Sequence, residues 1–403
     1  MLPETRTAPS WAVDLEPGAD LRLRAFRREA FVRFYLFHLR YRAHPGAVYY
    51  LLPHLRHRHG WTEEEALWFA FLNGNTQNPV TSLLLHRWCW NPADDDRLEA
   101  MLDFYRRNYT RLAFDTDRRH WKSHLPEAVN SYVAALLPYG GSQARMWQAA
   151  ASGGFSGVWE LATALHGFGR LSAFSYAEYL RITGVPFDCD RLFLEDIDGS
   201  RSHRNGLAIL TGHDDWVVDK QLGRPGATDA VYTADVITEL QAEADAVLAE
   251  TRRRAPLLYQ GTVEPVGSRS WPEDIGYFTL ESALCTYKSW HKPNRRYPNV
   301  YNDMLYDRLH KAERDWGDTV ADPFWEARNR YLPRALRLED SPYDPGCVPV
   351  KQNHYRETGQ VPVIGHWDTA LWSSFDTDVR GGRYGLRRDL LPGKRTSGRT
   401  VLR

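Results

Sequence analysis

The run Ala66-Leu67-Trp68-Phe69-Ala70-Phe71-Leu72-Asn73-Gly74-Asn75-Thr76-Gln77-Asn78-Pro79-Val80-Thr81 decides how this chain is read. An unbroken apolar segment passes into a cluster of amides with a glycine and a threonine, and apolar residues resume at Leu83, Leu84 and Leu85. Ahead of it, Thr62-Glu63-Glu64-Glu65 has the pattern of a capping box, so the apolar segment belongs to a helix. Asn and Gly favour the turn between two core helices. Such a turn needs one or two of them, and this segment holds more. Amides offer donor and acceptor faces without charge, which suits reading a nucleobase edge or filling the gap left by an extruded base. Asn75, Gln77 and Asn78 are therefore candidate DNA-facing residues.

Outward from this segment the helical period recurs. Phe26, Ala30, Phe34, Phe37 and Tyr41 form one stripe, Leu98, Met101, Leu102 and Tyr105 another, and Tyr301, Leu305, Leu309, Ala312 and Trp316 a third. Residues 236–248 repeat the pattern, whereas 218–234 and 255–275, rich in Gly and Pro, read as loops. Alternating strand patterns are scarce, so the fold class is mostly α with little β. The expected organisation is an irregular arm over 1–20, one large helical catalytic domain over 21–355, and a basic tail over 356–403.

The 403 residues suffice for a substantial core, and 43% hydrophobic with 13% aromatic residues marks a globular chain. Lys plus Arg and Asp plus Glu are equal at 51 each, so no global charge argues for a polyanion. The charge is nevertheless clustered. Residues 22–59 hold nine arginines against Glu29 alone, residues 287–302 hold four basic residues and no acid, and 380–403 hold eight basic residues against Asp389. Basic segments interleaved with Tyr and Trp fit a nucleic-acid groove. The four cysteines are far apart and form no CxxC pair, so reduced thiols are expected and a zinc ribbon is not. Without a signal peptide or a membrane-length apolar run, the chain reads as a cytoplasmic protein with no membrane partner.

Four further segments carry candidate chemistry. Helical stripes flank Gly167-Phe168-Gly169, followed by Arg170, in the form of a helix-hairpin-helix whose turn aims N–H groups at a phosphate. Nineteen residues beyond Gly169 lies Asp188, with Asp190 two further on. Hairpin-bearing DNA glycosylases resemble this layout over about 60–205, although no lysine sits beside the turn. Ser200-Arg201-Ser202-His203-Arg204-Asn205-Gly206 reads as a turn where Arg201 and Arg204 can hold phosphoryl oxygens, Asn205 can hydrogen-bond and His203 can move a proton. The neighbouring acids Glu195, Asp196 and Asp198 are compatible with Mg²⁺, but their spacing matches no known cation loop. The basic-aromatic segment 277–303 contains Glu281, Cys285 and Lys288 on one helical face, then His291, Arg295, Arg296 and Asn302. Lys351 repeats its flavour near the C-terminus.

Together, residues 34–53, the amide segment, Phe168-Gly169-Arg170-Leu171-Ser172-Ala173-Phe174, the segment 200–206 and Tyr287-Lys288-Ser289-Trp290-His291 resemble the bacteriophage amino acid:DNA transferases, relatives of the α-glutamyl/putrescinyl thymine pyrophosphorylases. That resemblance implies a helical, glycosylase-like fold acting on double-stranded DNA in the host cytoplasm. It implies that an amine, such as an amino acid or polyamine, displaces pyrophosphate from 5-(pyrophosphoryloxymethyl)uracil. No nucleotide cofactor is expected. Within that chemistry Asp188, Asp190 or His203 would accept the amine proton, while Arg201, Arg204, Lys288, Arg295 and Arg296 would take the charge of the leaving group. Cys189 or Cys285 could add to the ring, although inert thiols are the simpler expectation. The competing readings are a DNA N-glycosylase with Asp188 as its acid, and a non-catalytic DNA-binding protein.

Overall fold

In the computed structural model, residues 24–40, 48–196, 201–213, 216–217, 232–258, 274–290 and 300–331 are described. The helices are α1 (Arg27–Arg40), α2 (Val48–His59), α3 (Glu63–Thr76), α4 (Pro79–His86), α5 (Asp95–Arg107), α6 (Leu125–Leu136) and α7 (Gln143–Ala151). They continue with α8 (Gly154–Ala164), α9 (Arg170–Thr183), α10 (Arg201–Thr211), α11 (Ala234–Leu258), α12 (Tyr277–Trp290), α13 (Val300–Trp316) and α14 (Asp322–Tyr331). No strand occurs among the described residues, so the mostly α expectation holds. None of their helices is long and apolar enough to cross a membrane.

The capping box forms as the sequence predicts. The Thr62 hydroxyl accepts the Glu65 amide at 3.3 Å, and the Glu65 carboxylate accepts the Thr62 amide at 2.7 Å. The next acid works across the fold. Glu64 accepts the Gln143 and Ala144 amides at 2.9 and 3.1 Å and so fixes the start of α7. Thereafter α3 is buried on every side, which its continuous apolar run requires. It lies against α9, and Gly74 permits the approach: a Cβ there would stand 3.2 Å from Phe168 and Tyr176.

Two apolar cores form. One gathers α2 to α9 with parts of α13 and α14, and the other gathers α1, α10, α11 and α12. Helix α12 reaches both cores: its Leu280, Ala283 and Leu284 belong to the second, while its Phe278 enters the first, with its ring centroid 5.1 Å from that of Phe174 of α9. Residues 200–206, expected as a turn, instead begin helix α10 from Arg201 onward, with His203, Arg204 and Asn205 buried. The local reading saw polar residues, but Leu207, Ala208, Ile209 and Leu210 behind them draw the segment into the second core. Likewise α11 continues to Leu258 into a stretch expected as loop.

Helices α10 and α12 cross at Gly206. A Cβ there would lie 2.2 Å from the Leu284 carbonyl oxygen, a backbone atom that cannot move aside. Gly206→Ala is therefore expected to lower stability by about 2–3 kcal/mol or more, as overpacking does. Denaturant unfolding checks this, and an unchanged midpoint would contradict the close crossing.

Candidate active site

A pocket opens at the junction of the two cores. Its walls are the α9 residues Leu171, Phe174, Ser175, Glu178 and Tyr179 and the α12 residues Glu281, Ser282 and Cys285, with Val48, Asn73, Gln77, Pro79, Thr116 and Arg308 completing the rim. It offers about 150 Å³ of solvent-accessible space. A cavity of about that size holds a single six-membered ring.

Two carboxyls face this space from different helices, and their surroundings differ. Glu178 is buried, and burial pushes its carboxyl well above the usual range, opposed by a hydrogen bond and reinforced by the charge of Glu281. The hydrogen bond is donated by the Tyr49 hydroxyl at 2.7 Å. Glu281 is buried as well, which alone would raise it. The hydrogen bond and charge of His203, aided by Arg170, outweigh burial and hold the Glu281 carboxyl below its usual range. The His203 Nδ1 lies 3.0 Å from Glu281 Oε1, and its Nε2 lies 2.7 Å from the Leu192 carbonyl. Both ring nitrogens thus face oxygen acceptors, which orients the imidazole. The Cys285 thiol donates to the same Glu281 oxygen at 3.5 Å.

The ligand atoms of His203, Glu281 and Cys285 lie within 4.8 Å of one another. Nitrogen, oxygen and sulfur together suit a soft or borderline metal rather than Mg²⁺, which prefers oxygen. The contacts among the three atoms already account for their arrangement as a hydrogen-bonded chain.

The other expected site residues fall in varied places. Asn75 and Asn78 do not present free amide faces to DNA. Asn75 donates to the Phe71 carbonyl at 3.0 Å and accepts from Arg118 at 3.0 Å. Asn78 caps α4 by accepting the Thr81 amide at 3.0 Å and donates to Asp115 at 2.9 Å. Asp115 in turn pairs with Arg308 at 2.7 Å, so Asn78 helps hold a cation at the pocket rim. Gln77 does line the pocket, in a left-handed conformation, where it accepts from the Thr116 hydroxyl.

Residues 165–169 join α8 to α9. The Gly167 carbonyl accepts from Arg118 Nη1 at 2.6 Å, and Gly169 caps α9. Arg118, which local reading passed over, therefore binds the amide segment and the glycine turn into one unit. The Arg170 charge is engaged by Asp196 at 2.6 Å. Arg204 is fully buried, donating toward the Leu194 carbonyl at 3.4 Å with its guanidinium 4.0 Å from the Tyr232 ring centroid, so it is packed inside the protein. Buried Asn205 shares that position.

Asp188 and Asp190 are exposed and do not line the pocket. Asp188 pairs at 2.9 Å with Arg181, a buried cation that also faces Asp274 at 3.4 Å, and Asp190 pairs with Arg191. A buried guanidinium requires such compensation, which explains Asp188 without catalysis. The side chains of Arg201, Lys288 and Asn302, and all of His291, Arg295, Arg296 and Lys351, lie outside the described residues.

Sequence reasoning does not single out Glu178 or Arg308, and it includes Tyr49 and Leu171 only within the family-like segments. For Glu178 a signal existed: it is an acid inside Phe174-Ser175-Tyr176-Ala177-Glu178-Tyr179-Leu180, on a helix that packs against its neighbours on several sides.

The amino acid:DNA transferase family matches residues 47–296, a span that holds every pocket-lining residue except Arg308. A serinyltransferase of Salmonella phage ViI is 27% identical over 313 residues, covering 75% of this chain and 72% of that protein. No solved structure matches. The chain belongs to the amino acid:DNA transferase family. It is accordingly a transferase that modifies DNA with an amino acid.

Because its folded pKa is raised, Glu178 favours the fold most in acid, and that contribution is lost as pH rises from the ordinary carboxylate range toward the folded value. The cost reaches about 1.4 kcal/mol for each unit of elevation. Glu178→Gln keeps a neutral acceptor for Tyr49 and does not titrate. Its melting temperature relative to wild type is expected to be higher at pH 7 than at pH 5. Parallel pH profiles would show that folding does not raise the Glu178 carboxyl.

Proposed function

We propose that the pocket between α9 and α12 receives the pyrimidine of 5-(pyrophosphoryloxymethyl)uracil extruded from duplex DNA, and that the amine of an amino acid replaces pyrophosphate there. The observation that carries this reading is a ring-sized cavity lined by two buried carboxyls whose surroundings push them in opposite directions, Glu178 upward by burial and Glu281 downward by His203. Unlike protonation of neighbouring carboxyls is how acid and base roles separate. Glu178, whose burial favours the protonated form, can donate to a ring carbonyl as negative charge grows on it, and Glu281, whose partners favour the ionised form, can accept a proton. Arg308 lies among the lining residues with its guanidinium paired to Asp115, and a phosphate at the rim would compete for or share that cation. Extrusion would carry the C5 methylene out of the major groove, and the faces of the ring out of the base stack, into this enclosed pocket. The name of the phage relative makes serine the first amino acid to test.

The N-glycosylase reading loses support because Asp188 is bound to Arg181 and stands outside the pocket. Duplex DNA carrying the pyrophosphorylated base, incubated with the protein and a mixture of amino acids, should release pyrophosphate. Nucleoside mass spectrometry should then find an amino acid joined to the thymine methyl carbon. Glu281→Gln should slow this at least about a hundredfold, as loss of a general base does. Free base and abasic sites in place of pyrophosphate would establish glycosylase chemistry instead.

A further inference from the structure

The geometry points to Cys285 as a covalent nucleophile toward the pyrimidine ring, with Glu281 as its base and His203 positioning Glu281; this rests on the proposed substrate. Of the three cysteines among the described residues, Cys285 alone lines the pocket and is not fully buried. Cys189 and Cys89 are buried in the first core, with thiols raised by burial and hydrogen-bonded to the Arg191 and Asn91 carbonyls.

Cys285 does not stand alone. Its thiol donates to Glu281 one helical turn earlier, and Glu281 is oriented by His203, whose far nitrogen is anchored on the Leu192 carbonyl. A nucleophile, its base and a third group that orients the base is the arrangement by which weak nucleophiles are activated. Cys285 and Glu178 line the same ring-sized cavity from different helices.

The step balances without oxidant or reductant. Glu281 takes the thiol proton, and sulfur bonds to C6 of the uracil. The C5–C6 electron pair shifts toward O4, where Glu178 can stabilise the enolate. The enolate collapses, breaks the bond from the methylene carbon to the pyrophosphate oxygen, and leaves an exocyclic C5 methylene. The amine adds to that carbon and loses a proton to solvent. The regenerated enolate then restores the C5–C6 double bond by expelling sulfur, which regains its proton from Glu281. A primary displacement by a free amine is thereby divided into two easier additions.

The test is a rapid-quench reaction of the full-length protein with pyrophosphorylated duplex DNA in the absence of any amine. The expected result is a pyrophosphate burst of about one per active enzyme and a denaturant-stable protein–DNA adduct that peptide mapping places on Cys285. Cys285→Ser should lose the adduct and slow transfer at least about a hundredfold while melting like wild type. Should Cys285→Ser disturb folding, the adduct position in wild type decides alone. Wild type that transfers amino acid with no adduct on Cys285, or a Cys285→Ser variant within threefold of wild-type turnover, would overturn the inference and leave the substrate assignment standing. Wild type that releases no pyrophosphate with any amino acid would remove the substrate assignment, and the nucleophile with it.

Discussion

The missing side chain at Gly206 lets α10 lie directly on the backbone of α12, and the polar chain at the pocket depends on that approach. The Leu284 carbonyl stands where a Cβ would be. One turn before each contact residue sit His203 and Glu281, 3.0 Å apart. A wider crossing would separate them, leave a buried carboxylate without its compensating partner, and release the oxygen that Cys285 engages. A packing constraint thus becomes an electrostatic one.

Electrostatics then divides two chemically identical groups. Glu178 and Glu281 are both buried beside one cavity, and burial raises both. The difference lies in their partners. Glu178 meets a tyrosine hydroxyl, which helps its anion too little to offset desolvation, while Glu281 meets an imidazole and feels Arg170. Around this pair the rest of the junction acts as scaffold. Arg118 ties Asn75 to the Gly167 turn, and Asn78 steadies Asp115, which fixes Arg308 at the rim.

The sequence made helices legible by capping at Thr62–Glu65 and by periodicity along α13. It misled where polarity was read as exposure. The amides of 73–78 are polar because helix ends packed inside the protein need internal hydrogen-bond partners, and Arg204 and Asn205 are buried with the helix that carries them. Asp188 stands out in sequence by its place after a glycine turn, whereas its structural partner is the buried Arg181, seven residues earlier. The i, i+4 relation of Glu281 and Cys285 could be read locally. Their meeting with His203 and Glu178 could not, because it joins three helices whose contacts are long-range.

The most direct measurement is a structure of the protein bound to duplex DNA containing one 5-(pyrophosphoryloxymethyl)uracil. The account predicts the uracil ring extruded into the cavity between Glu178 and Glu281, with its C6 facing Cys285 and the pyrophosphate toward Arg308. A ring left stacked in the duplex, or lodged beside Asp188 with this cavity empty, would contradict it.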